Sequence, residues 1–192
     1  AAMIRTFVAL DLPEAQREAL AHLERALKRA NAEVAWVRPE SIHLTLKFLG
    51  NIAEEEVGRI GEALVPLAAR TAPFALEPFG CGAFPTLKAP RVVWVGLKAA
   101  GDDLVRLHRG VEEALSALGH PPEDRPFKPH LTVGRVKGSR NLRALTEALA
   151  ENTGFSAPSF DVREIVLYKS TLRPEGAVYS ALLRIPLTGT PR

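Results

Sequence analysis

Two short words hold the side chains best suited to chemistry: His43-Leu44-Thr45-Leu46 and His130-Leu131-Thr132-Val133. Side chains along a strand alternate between faces. The histidine and threonine of each word therefore share one face, and the apolar residues share the other. Histidine can accept or donate a proton near neutral pH. Two of them, one neutral and one protonated, can take a proton from an attacking oxygen and give one to a leaving oxygen. Phosphodiester cleavage needs both transfers, each typically worth about 10²–10⁴ in rate. The threonine hydroxyls supply donors for the non-bridging phosphate oxygens. One His-x-Thr on a strand is commonplace; two at matching points of a repeat are not.

Strands must present both words. Residues 3–10 read as a strand, with Asp11 placed to cap a helix whose stripe is Leu20, Leu23 and Leu27. Strands over 34–37 and 41–49 follow, then a helix over 54–69 and a strand over 74–79. A loop marked by Gly and Pro, GCGAFPTLKAP, comes next. The pattern then restarts: strand 91–98, helix 102–118, a Pro-rich loop, strand 130–136, helix 141–150, and strands 162–170 and 178–187. His43 lies 36 residues after Phe7, and His130 lies 36 after Trp94. The units, over approximately 3–80 and 91–187, are thus offset by 87 positions. The expected architecture is α+β: one bilobal domain over 1–192, with antiparallel-rich sheets flanked by helices. A pseudo-twofold axis would relate the lobes, and a cleft between them would receive one histidine from each.

Strand parity makes further assignments. Lys47 falls on the His43 face and Phe48 on the core face. Arg135, five residues after His130, falls opposite it unless Gly134 permits a bulge. His22, His108 and His120 read as surface or capping residues.

Composition narrows the field. Apolar residues make up 46% and charged residues 24%, as in an ordinary globular domain. The net charge of +3 does not by itself announce nucleic acid, but Arg125, Lys128, Arg135, Lys137, Arg140 and Arg143 form a run without an acid. The single cysteine, Cys81, rules out an internal disulfide and a thiolate metal cluster. No carboxylate or cysteine shares a strand face with either motif histidine, so no metal site is expected. No apolar run is long enough for a membrane helix, and nothing at the N-terminus reads as a signal peptide. A cytoplasmic monomer is the expectation.

Several blocks in order resemble the two-histidine (2H) phosphoesterases: IRTFVALDLP, HLTLKFLGNI, GAFPTLKAPRVVWVGL, KPHLTVGRVK and LYKSTLRPEGAVY. The nearest resemblance is to the bacterial and archaeal 2′-5′ RNA ligase, or RNA 2′,3′-cyclic phosphodiesterase, branch. That resemblance implies hydrolysis of RNA 2′,3′-cyclic phosphate ends to 2′-phosphomonoesters without a cofactor. It implies His43 as proton donor to the leaving 3′ oxygen and His130 as proton acceptor from water. Thr45 and Thr132 would bind the phosphate, and Arg135 stands where the branch has a basic residue. The reverse reaction would join RNA ends, such as tRNA halves, through a 2′-5′ linkage. The residues alone leave two alternatives open. One is a module that binds RNA or nucleotides with little catalysis, and the other is a cyclic phosphodiesterase acting on a small nucleotide.

Overall fold

The computed structural model describes residues 2–192. The first half contains β1 (Met3–Leu10), α1 (Glu14–Lys28), β2 (Val34–Trp36), a 3-10 turn at Pro39–Ser41, β3 (Leu44–Ala53), α2 (Glu56–Ala69) and β4 (Phe74–Pro85). The second contains β5 (Pro90–Ala99), α3 (Asp103–Ser116), β6 (His130–Val136), α4 (Leu142–Glu151), β7 (Phe160–Val162), β8 (Glu164–Arg173) and β9 (Gly176–Pro186). Each helix buries the stripe that the sequence displays: Leu20, Leu23 and Leu27 in α1, and Leu104, Leu107, Val111 and Leu115 in α3. Asp11 does not cap α1. Pro13 takes that position without a side-chain bond, while Asp11 accepts the Leu12 amide and pairs with Arg17.

The strands form two sheets, ordered β3-β1-β8-β9 and β2-β6-β5-β4-β7. Every neighbouring pair is antiparallel. The architecture is therefore the α+β arrangement expected. In each sheet the strand carrying a motif lies beside the strand that opens its unit. Most of the other strands are exchanged: β2 and β4 of the first half join the second sheet, while β8 and β9 of the second half complete the first, and β7 stays in the sheet of its own half. Helices cover one face of each sheet, and the core is continuous across both. α2 crosses α3 so closely that a Cβ on Gly110 would lie 2.4 Å from Leu67 Cδ1.

β4 continues to Pro85, through residues whose glycines and prolines suggest a loop. Gly82 there serves packing rather than a turn. Trp94 lies flat over Gly82, where a Cβ would come within 2.5 Å of the indole. The ladder to β5 shifts between Pro78 and Cys81, around Gly80 at φ +83°.

Each motif strand carries a bulge at the same place. In β3, Val8 pairs with Lys47 and Ala9 with Thr45, leaving Leu46 as the extra residue. In β6, Val93 pairs with Gly134 and Trp94 with Thr132, leaving Val133 extra. Leu46 and Val133 are the fourth residues of the two motifs, 87 positions apart. An extra residue reverses the parity of the residues beyond it up to the next irregularity, which in β3 leaves Leu49 extra between Phe48 and Gly50. Lys47 therefore turns into the core, where it is 3% exposed, and Phe48 turns out, 60% exposed. Both positions are the opposite of what simple alternation gives. Arg135 is brought to the His130 face, in register with Val92 and, through it, Phe84. The register also adjusts the repeat: Ala9, not Phe7, is the counterpart of Trp94, since each faces a motif threonine.

Gly134 makes the second bulge possible. A Cβ there would lie 2.8 Å from both Trp36 and Val34. Gly134→Ala is expected to cost about 1–3 kcal/mol, the usual penalty for overpacking. A thermal melt should show Tm falling by roughly 2–12 °C for a chain of this size; an unchanged Tm would contradict the packing argument.

Candidate active site

His43 precedes β3 directly, at the end of the segment that leaves the 3-10 turn. Its side chain is 5% exposed. It packs against Tyr168 at 4.4 Å between ring centroids, Tyr179 at 5.5 Å and Phe7 at 6.2 Å. Phe7, Ala9, Val166 and Tyr168 form a small apolar cluster separate from the main core. Thr45 lies on this face because it is in register with Ala9, and Phe48 because it is in register with Phe7. The Phe7 and Phe48 rings are 6.0 Å apart.

His130 begins β6 and is half-buried. Its ring meets Phe84 edge-on at 5.3 Å, and Phe84 lies 5.5 Å from Trp94. Its Nδ1 lies 2.6 Å from the Lys128 carbonyl, which can only accept. Nδ1 thus carries the hydrogen, and the neutral ring keeps its lone pair on Nε2, the form a general base requires. Thr132 shares this face through its register with Trp94. Among the described residues, Arg135 has no carboxylate within ion-pair distance, whereas Arg140 pairs with Glu33 and Arg143 with Glu147.

The two sheets meet where β3 approaches β6. β2 pairs with β6 only from Gly134 to Val136, leaving His130 to Thr132 without a strand partner on that side. The Val37 amide donates to the carbonyl of the bulged Val133 at 3.0 Å. The chain running toward His43 is thereby attached to the second motif. The structure thus brings His43, Thr45 and Phe48 onto one sheet face, and His130, Thr132 and Arg135 onto the other. A cavity of about 470 Å³ lies elsewhere, between α2, α3 and residues 190–192. Among the described residues no three His, Cys, Asp or Glu side chains cluster as metal ligands.

The sequence pattern does not disclose the charged network around His43. Asp11 Oδ1 lies 3.6 Å from His43 Nε2, and the same carboxylate pairs with Arg17 and approaches Arg184 at 3.6 Å. Burial raises the Asp11 carboxyl, but Arg17, the Leu12 amide and His43 hold it below its ordinary value. Burial, then Asp11, pushes Tyr168 up to about 12, so it remains a phenol. His43 itself is lowered to about 4. Burial is the main cause; Asp11 opposes it, while Arg17 and Arg184 reinforce it. The Ser41 carbonyl favours the charged ring, although Nδ1 makes no hydrogen bond of ordinary geometry. No spacing rule points to these residues, because Asp11, Tyr168 and Arg184 meet only through sheet pairing.

Paired imidazoles, each with a threonine beside it on an antiparallel sheet, place the protein in the class of two-histidine phosphoesterases. More narrowly, the chain belongs to the 2′-5′ RNA ligase superfamily, whose family profile matches residues 12–173. It is 37% identical to the RNA 2′,3′-cyclic phosphodiesterase of Methanothermobacter thermautotrophicus, over 92% of this chain and 95% of that protein. It is 38% identical to the protein of that name from Archaeoglobus fulgidus, over 93% and 98%. The crystal structure of TT0787 of Thermus thermophilus superposes with a TM-score of 0.79 at 31% identity, covering 97% of this chain and 99% of that one. E. coli LigT complexed with 3′-AMP gives 0.77 at 27% identity, with the same coverage.

A phosphate group beside His43 would favour the charged ring and reverse the effect of burial. In the free protein, NMR should show His43 titrating near 4 and neutral at pH 7. Saturating inorganic phosphate should move its midpoint upward by about a unit or more. An unchanged midpoint with phosphate bound would separate His43 from the anion site.

Proposed function

We propose that this protein hydrolyses 2′,3′-cyclic phosphate ends of RNA to 2′-phosphomonoesters. The reading is supported most by the two equivalent bulges, which give each lobe a face carrying a histidine, a threonine and one further side chain. His130 Nε2 takes a proton from water, and the water oxygen attacks phosphorus. The bond from phosphorus to the 3′ oxygen breaks, and His43 delivers its proton to that oxygen. Thr45 and Thr132 donate to the non-bridging oxygens, and Arg135 adds positive charge as the phosphorane forms. The anionic substrate supplies the charge that protonates His43, which the free site disfavours. No metal or nucleotide cofactor enters this scheme.

Phe48 has a role that strand alternation hides. The first bulge gives an exposed aromatic ring where the second gives Arg135. We assign the base of the terminal nucleotide to the Phe48 side and the phosphate to the Arg135 side. The names of the relatives favour RNA as substrate. The E. coli LigT structures with 3′-AMP, NADP+ and ATP favour a small nucleotide as a second reading. The proposal further takes 1–192 as one bilobal domain, active as a cytoplasmic monomer. No helix is long and apolar enough to cross a membrane. Joining of tRNA halves would be the reverse reaction.

A nucleoside 2′,3′-cyclic phosphate incubated in EDTA should yield only the 2′-phosphate. His43→Ala and His130→Ala should each lower kcat by about 10²–10⁴-fold. A 3′-phosphate product, or full activity in either variant, would refute the mechanism. Comparing RNA oligomers with mononucleotides separates the two substrate readings. Base stacking on an aromatic ring is worth about 1–3 kcal/mol, so Phe48→Ala should raise KM about five-fold or more, with Phe48→Trp restoring it. Equal KM in wild type and Phe48→Ala would remove the base from this side.

A further inference from the structure

We propose that Lys47 and Glu112 are positioning residues for His130, acting through the segment that delivers it. This inference rests on the proposed role of His130 as base. The first bulge turns Lys47 away from the groove. Its Nζ, on a side chain 2% exposed, lies 2.8 Å from Glu112 Oε1 on α3. The contact is an ion pair rather than a well-angled hydrogen bond. Lys47 Nζ also donates to the Pro121 carbonyl at 2.8 Å. Glu112 Oε2 accepts the Glu123 amide at 2.8 Å. One buried pair thus holds a carbonyl and an amide of the chain between α3 and β6.

That chain has little else to fix it. Residues 117–129 form neither helix nor strand, and 121–126 are exposed. Prolines at 121, 122, 126 and 129 remove four amides that could have anchored it. Farther along, Phe127 stacks on His108 of α3, with centroids 3.8 Å apart and planes within 2°. The next residue is Lys128, whose carbonyl holds His130 Nδ1. The path from Lys47 to the free nitrogen of His130 is therefore a short run of contacts, anchored on β3 and α3 and ending at the Lys128 carbonyl.

Net stability does not explain the pair. A buried ion pair can often be replaced by apolar residues of similar volume without loss, because desolvation cancels the attraction. An apolar pair cannot hold the Pro121 carbonyl and the Glu123 amide. Lys47 follows the first motif directly, so strand and base would move together. Loss of the contacts frees the Lys128 carbonyl and lets the imidazole turn or change tautomer. Shifts of about 1 Å in a reacting group can cost about 10²-fold in rate. Substrate groups on Thr45, Thr132 and Arg135 stay in place, so the effect falls on kcat rather than KM.

The test uses Lys47→Met/Glu112→Leu, which leaves no unpaired buried charge. Its companion, Glu123→Pro, deletes the amide that Glu112 holds and leaves the ion pair intact. In the double variant, kcat on a nucleoside 2′,3′-cyclic phosphate should fall about 10–100-fold, with KM within about three-fold. Glu123→Pro should show a smaller fall of the same kind. Nitrogen NMR of His130 should report Nδ1–H alone in the wild type and a mixture of tautomers in the double variant. Wild-type kcat in both variants, or an unchanged Nδ1–H tautomer, would overturn the inference. Should the double variant not fold, Glu123→Pro alone decides by the same readouts. An inactive wild type would refute the proposed function, while the tautomer measurement would still decide whether the pair positions His130.

Discussion

A side chain in a strand changes face at every residue, so one inserted residue reverses those that follow it until the next irregularity. In this chain the insertion falls at Leu46 and again at Val133, closing each motif. Up to that point alternation puts histidine and threonine together. Beyond it, the bulge gives the groove a third side chain and turns the intervening residue into the core. Phe48 and Arg135 gain the histidine-bearing face of their sheet, while Lys47 and Gly134 lose it. Gly134 needs no side chain to fill space that Trp36 and Val34 already occupy. Lys47 instead carries a charge inward, and Glu112 answers it.

The two histidines share a motif but not an environment. His43 is enclosed by Tyr168, Tyr179 and Phe7, with two arginines and an aspartate beyond. Its neutral form is favoured in the free protein. His130 is half-buried, and a main-chain carbonyl fixes its tautomer. In the proposed mechanism these surroundings separate roles that the sequence leaves equivalent: one ring holds a lone pair ready for a proton, and the other gains its proton when negative charge arrives. Pairs of titratable groups with divergent surroundings are how acid and base are told apart.

Cross-connection between the halves keeps those environments in register. Each sheet borrows strands from the other half, so neither can form from its own sequence unit. The Val37 amide ties the approach to His43 onto the second motif, and Lys47 ties the strand after the first motif onto the approach to His130.

The repeat, the α+β class and the face shared by each His-Thr pair come from periodicity in the sequence, because alternation over two or three residues is a local property. The helix stripes of α1 and α3 are legible for the same reason. Family membership is likewise carried by local blocks. The places of Lys47, Phe48 and Arg135 were not determined locally, since a bulge is fixed by which partner residues pair across a sheet. Asp11 reads as a helix cap until β8 and β9 bring Tyr168 and Arg184 beside it. Gly82 of β4 reads as part of a loop until Trp94 is seen to lie across it. The sequence by itself determined which side chains could do the chemistry. Only the tertiary structure decided which face each would take and which charges would surround it, because contacts between distant segments set both.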